Sequence, residues 1–144
     1  MLPSKLDSLK IIFNNPHRFP INLVDSVIKK SDVDIVTQKF ITANDYFFKD
    51  KKFVSDDDFF YSELLVLESF MQSAGLFIEK KNNDKIPYVI SFKGIVVLDR
   101  PTIGSAVQHN VRLLSRKSNV IIVSGSSKID NQIIMEYKDI YIGC

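Results

Sequence analysis

Residues 59–80 constrain this chain more than any other part of it. They contain no proline, and the good helix formers Leu64, Leu65, Leu67, Glu68 and Met71 fill the middle. Twenty-two residues rising about 1.5 Å each predict a helix roughly 33 Å long, enough to cross a small domain. Phe60, Leu64, Leu67, Met71, Ala74 and Ile78 fall on one stripe, while Leu65, Val66 and Phe70 cover much of the remaining circumference. A helix apolar on most sides is buried by other elements, so the rest of the chain must wrap it.

What remains is rich in β signals. Strands are predicted over 21–30 and 33–41 ahead of the helix, and over 87–98, 105–116, 119–128 and 132–142 after a polar turn at 80–85. Asp130-Asn131 suits a tight hairpin, because both residues tolerate positive φ. Gly125 inside a strand predicts a bulge. A short helix is expected within 1–15, from the spacing of Leu2, Leu6, Leu9 and Phe13. Residues 44–58 read as loop, with Asp58 as N-cap of the long helix and Asp56 and Asp57 set against its positive end. The economical arrangement is α+β: an antiparallel sheet wrapped around one central helix, in a single domain spanning 1–144.

The 144 residues, 45% hydrophobic and 25% charged, can supply a core without metals or disulfides. A net charge of +2, from 19 basic and 17 acidic residues, leaves no basic stripe for nucleic acid. The single cysteine, Cys144, excludes an internal disulfide and argues against a structural zinc cluster. Lys5, Asp7 and Lys10 interrupt any signal-peptide core, and no run reaches the ~18 apolar residues of a membrane span. A soluble, cytoplasmic protein needing no metal and no cofactor is expected.

Several motifs go further. Pro16-His17-Arg18-Phe19-Pro20, two residues, then Leu23-Val24-Asp25 and the apolar Val27 resembles the N-terminal signature of the FabZ-type β-hydroxyacyl-[acyl-carrier-protein] dehydratases. Glu68-Ser69-Phe70-Met71-Gln72-Ser73-Ala74-Gly75 is similar to that family's central-helix signature, Glu-Ala-x-x-Gln-x-x-Gly in outline. Arg100-Pro101-Thr102-Ile103-Gly104 resembles its Arg-Pro-x-x-Pro-Gly turn, one residue shorter and without the second proline. Gly125 and Ile129-Asp130-Asn131 fall where the family has a strand glycine and a hairpin. The resemblance spans nearly the whole chain and implies a hot-dog fold, a dimer with sites at its seam, and an acyl thioester or acyl carrier protein as partner.

The family's His-bearing segment ahead of the central helix has no counterpart here. The corresponding stretch runs from Phe47 to Glu63, and no histidine lies between His17 and His109. Aligned on Phe53, Lys52 takes the place of the family's catalytic histidine. By the resemblance, dehydration removes a C2 proton, assists departure of the C3 hydroxyl and holds the thioester oxygen. A base for this work needs a pKa near the working pH. Lysine would stay protonated unless desolvated, and its neighbours Lys49, Asp50 and Lys51 describe a wet loop. Glu68 matches the family's catalytic glutamate, and an apolar helix around it favours an acid or base role; the alternative is a structural glutamate bonded to backbone at the dimer seam. Asp58, with Asp56 and Asp57, is either a replacement carboxylate or a cap.

The resemblance gives Gln72, Phe53, Phe60 and Leu64 as substrate-lining candidates, and Arg100, Arg112 and Arg116 as a rim for an acidic carrier protein. His109 shares a strand face with Val107 and Val111 and reads as a half-buried structural histidine. Three functions follow. The first is an atypical dehydratase-family subunit paired with an active paralogue, in fatty-acid, polyketide or aryl-polyene assembly. The second is an active dehydratase using Glu68 with a replacement base. The third is a binding module whose channel is closed by Phe59, Phe60 and Tyr61.

Overall fold

Alternating side chains organise the sheet. Along Asp34–Phe40 (β2), Ile35, Thr37 and Lys39 turn inward, and along Ala106–Lys117 (β4), Val107, His109 and Val111 do the same. The computed structural model describes residues 4–13, 21–78 and 86–143; the 16–20 motif with His17, the 80–85 turn and Cys144 lie outside them. The other elements are α1 (Lys5–Phe13), β1 (Ser26–Lys30), α2 (Glu63–Gly75), β3 (Tyr88–Val97), β5 (Val120–Ile129) and β6 (Gln132–Gly143), with single 3-10 turns at Tyr46–Phe48 and Asp56–Phe59. Six antiparallel strands form one sheet in the order β1-β2-β4-β5-β6-β3. Helix α2 lies across β2, β4 and β5, and α1 packs on β1.

Each predicted strand has a counterpart, but the first, expected over 21–30, begins only at Ser26 because residues 21–23 bond to side chains of α2; Asp130 and Asn131 make their hairpin with φ of 48° and 65°. At the bulge, Val123 faces Ile140 and Gly125 faces Tyr137, so the extra residue belongs to β6. Asp139 takes φ 46° there, and its N–H donates to Ser124 Oγ at 2.9 Å. Gly125 has a separate reason: a Cβ on it would lie 2.0 Å from the Asn110 carbonyl oxygen and 2.9 Å from the Phe70 ring.

The central helix differs from expectation in length and in rotation. It has 13 residues, about 20 Å, rather than twenty-two. Residues 59–61 are pulled into extended pairing with the turn after β3: Phe60 bridges Thr102, Tyr61 N–H donates to Pro101 O, and Ile103 N–H donates to Phe59 O. The N-cap is Ser62, whose Oγ accepts from Leu64 N–H. Asp58 does not cap α2; it closes a capping box with Ser55 on the preceding 3-10 turn.

The buried stripe of α2 is Val66, Ser69, Phe70, Ser73 and Ala74, together with Gln72. Leu64, predicted in the core, is 71% exposed, and Leu67 and Met71 are half-buried on the flank. The helix is rolled because the sheet and the 21–25 segment offer partners to its polar side chains. Ser73 Oγ donates to Ser69 O and stands 2.6 Å from Thr37 Oγ1. Phe70 stacks on Tyr137 with ring centroids 3.7 Å apart, filling the centre with Ile35, Val123 and Ile140. Each large side chain so buried contributes about 1.5–3 kcal/mol.

Strand β3 is different. It pairs only with β6, and Tyr88, Val89, Ile90, Phe92, Val96 and Val97 are all exposed. Its outer edge, along ten residues, has no partner strand among the described residues.

Candidate functional site

Helix α2 carries the two motif residues with chemistry, four apart and therefore on one face. Gln72 Nε2 donates to Glu68 Oε1 at 2.9 Å and to Ile21 O at 2.7 Å, and its Oε1 accepts from Leu23 N–H at 2.9 Å. Ser69 Oγ donates to Leu23 O at 2.6 Å. Residues 21–25 form no strand, so the helix side chains stand in for ladder partners. Gln72, expected to line the acyl site, is a buried clamp that orients Glu68. The carboxylate itself is half-buried, beside the open flank of Leu64, Leu67 and Met71.

The loop candidates separate from the helix candidates. Lys52 is exposed in irregular backbone, as its wet-loop sequence suggested. Phe53, at φ 52°, sends its ring between Phe48 and Phe59, with centroids at 6.0 and 5.2 Å. Asp58 Oδ2 accepts from Val54 N–H and Ser55 N–H, and those bonds hold its carboxyl below the usual aspartate range. That oxygen is engaged by the loop it closes.

Of the three aromatic residues expected to fill the channel, Tyr61 is buried, Phe60 half-buried and Phe59 43% exposed. Tyr61 packs against Phe47 and Phe48, and burial with the Asp45 and Asp25 carboxylates pushes its phenol far above the ordinary value. The Arg100 guanidinium lies 4.6 Å from the Phe60 ring centroid, and its Nη2 is 3.9 Å from Asp57.

The three arginines do not assemble into one rim within the chain. Arg100 sits before β4, whereas Arg116 lies near its far end, roughly 30 Å along the strand from Ala106. Arg112 forks onto Asp34, with Nε–Oδ1 at 3.0 Å, and Arg116 Nη2 donates to Phe77 O at 2.8 Å, capping the end of the helical segment. Only Arg100 stands beside the aromatic loop.

Residues that sequence reasoning undervalued lie behind α2. His109 is 1% exposed, not half-buried, and contacts Ser69 Oγ through Nε2 at 2.8 Å and Ser127 Oγ through Nδ1 at 2.7 Å. Ser127 Oγ meets Tyr137 Oη at 2.7 Å. Burial holds the imidazole near a pKa of about 3, so it is neutral. Part of the signal was present in the strands, where alternation with Ile35 and with Ile121 and Val123 turns Thr37 and Ser127 inward; the apolar pattern of the helix gave none for Ser69 and Ser73.

A polar groove of about 270 Å³ lies between Asn22, Val24, Asp25, Thr42, Asn44, Asp45 and Tyr46. Its carboxylates are engaged by the buried Lys39, at 3.4 Å from Asp25 and 2.7 Å from Asp45, and by the N–H groups of Phe40 and Thr42. Among the described residues, no group of three or more His, Cys, Asp or Glu is placed to hold a metal ion. No helix among them is long and apolar enough to cross a membrane.

A single antiparallel sheet laid over one helix, with the signature glutamate and glutamine on that helix, defines a hot-dog protein. The fold is shared with a chain of the dehydratase heterocomplex ApeI:P from Xenorhabdus doucetiae, at a TM-score of 0.76 and 15% identity over 92% of this chain and 89% of that one. Cj0977, a sigma28-regulated virulence protein from Campylobacter jejuni, matches with a TM-score of 0.70 and 14% identity over 97% and 91%. No family model matches the sequence. Individual relatives do: the 3-hydroxyacyl-[acyl-carrier-protein] dehydratase FabZ of Thermotoga petrophila is 30% identical over 129 residues, 90% of each chain. That of Pseudothermotoga lettingae is 28% identical over 129 residues, 90% of this chain and 89% of the relative. The chain belongs to the FabZ dehydratase family.

Proposed function

We propose that this chain is an atypical FabZ-family subunit that binds 3-hydroxyacyl thioesters, presented on acyl carrier protein, and works in a dimer with a histidine-bearing paralogue. The observation that carries the reading is the half-kept site. Glu68 is oriented by Gln72, while the segment preceding the helix supplies Lys52 on an exposed loop and no histidine. In the elimination the C2–H bond breaks, the C2=C3 double bond forms, and the C3 hydroxyl leaves as water with one added proton. Glu68 serves as the acid or base at one of those two positions, and the partner's histidine completes the pair.

The second subunit is expected on β3. Its unpaired edge can extend the sheet across a two-fold axis, and its exposed apolar residues, with the open flank of α2, give such a seam an apolar centre. The heterocomplex among the structural neighbours lends support to a pairing of unlike subunits, not to its location.

The test is enoyl formation from a short 3-hydroxyacyl carrier-protein thioester, using the chain alone and mixed with a paralogue from the same source. Turnover is expected only in the mixture, lowered at least ~100-fold by Glu68→Gln in this chain, the scale of one lost acid–base group. Full turnover by the isolated chain would replace this reading with that of a self-sufficient enzyme. The packing of Phe48, Phe53, Phe59 and Tyr61 favours a third, closed-channel module. It predicts no thermal shift with an acyl-pantetheine analogue, because a ligand raises stability only by binding the folded state.

A further inference from the structure

The polar chain behind α2 has one proton order in its neutral form. Leu23 O can only accept, so the Ser69 hydroxyl donates to it. With that hydrogen committed, the 2.8 Å contact between Ser69 Oγ and His109 Nε2 requires the proton on Nε2. Nδ1 is then bare and accepts from Ser127, which in turn accepts from Tyr137. The opposite order needs an imidazolium and turns the Tyr137 hydrogen onto Met135 Sδ, 3.6 Å away and a weak acceptor. Phe70 flanks the network, edge-on to His109 and stacked on Tyr137, and shields it from water.

The two ends of this chain differ. The Tyr137 end is anchored in β6. At the other end Ser69 holds the carbonyl of Leu23, whose N–H is held by Gln72, the residue that also holds Glu68. We propose that His109 is a positioning residue: its Nε2–H fixes Ser69, Ser69 fixes the 21–23 segment, and that segment keeps Gln72 aligned on the Glu68 carboxylate. Only the chemical task given to Glu68 rests on the proposed function; the positioning itself does not.

Two measurements test it. Long-range proton–nitrogen NMR on the nitrogen- and carbon-labelled full chain reads the tautomer directly, with His17 and His109 told apart by through-bond correlation of each ring to its own backbone. A neutral Nε2–H imidazole, unchanged between pH 5 and 8, is expected; an Nδ1–H tautomer, or titration within that range, overturns the proposal. Because this is read on the unmodified protein, it stands even where a variant does not fold.

The second measurement compares His109→Gln, whose amide can still donate to Ser69, with His109→Leu, which cannot. Exchange of the Leu23 amide hydrogen is expected to rise on the order of tenfold in His109→Leu, the worth of one buried hydrogen bond, and to return towards wild type in His109→Gln. In the paired assay, kcat is expected to follow the same order with KM unchanged. Equal Leu23 exchange in the two variants overturns the positioning role. Absent turnover in the wild-type mixture would remove the catalytic reading and leave the exchange result to decide this one.

Discussion

Replacing Gln72 by methionine removes three hydrogen bonds while nearly preserving side-chain length and volume, so the cost can be worked from the partners left behind. Leu23 N–H is buried and loses its acceptor, which costs about 1–3 kcal/mol. Ile21 O and Glu68 Oε1 are part-buried and can turn to water, so each loses roughly 0.5 kcal/mol. The sum is about 3 kcal/mol, against a stability on the order of 5–15 kcal/mol for a domain. At about 2–4 °C per kcal/mol for a chain near this size, Tm should fall by about 10 °C. Urea unfolding should show the same loss in midpoint with an unchanged slope, since the folded surface stays the same. A shift under about 2 °C would refute the clamp, because the buried Leu23 N–H would then have found another acceptor. A larger loss with a reduced slope would refute it differently, by showing that the 21–25 segment had detached.

Gly125→Ala should destabilise by at least about 2–3 kcal/mol in denaturant melts, because its new methyl meets backbone at Asn110 and no side chain can rotate away. Lys39→Met leaves Asp25 and Asp45 facing each other without their cation, and should lower stability by about 2 kcal/mol in the same assay. His109 has a folded pKa of about 3, below its ordinary 6.5, so the unfolded state takes up its proton first as pH falls. Its contribution is complete above pH 6.5 and declines below it, by about 2–3 kcal/mol at pH 4.5. His109→Gln should flatten that part of the stability–pH curve, and parallel curves for the two proteins would contradict a neutral buried imidazole.

The strand set was legible because β-branched runs and turn pairs such as Asp130-Asn131 are local signals. The central helix was legible as an element but not in its extent, because Phe59, Phe60 and Tyr61 continue its apolar pattern while pairing with residues 101–103. Its roll was hidden for a related reason. Hydrophobic periodicity assigns Ser69, Gln72 and Ser73 to solvent, and only the Leu23 backbone, Thr37 and His109 make them interior. At the site, the Glu68 and Gln72 pairing follows from four-residue spacing, but the dispersal of Arg100, Arg112 and Arg116 depends on which end of β4 each occupies. Asp58 was misread because a capping box one turn earlier resembles one at the helix itself.

The serines along α2 act like the wards of a key. Sliding the helix by one turn, about 5.4 Å, would put one of the two serines in the other's place and leave the remaining hydroxyl, with either Thr37 or the His109 and Leu23 pair, stranded in a dry interior. An all-leucine face would tolerate several such positions with little difference between them. Chimeras that graft this helix into a related hot-dog sheet should therefore succeed only when Thr37, Ser69, Ser73 and His109 travel together, and the costs of transplanting them singly should sum to more than the cost of moving all four at once.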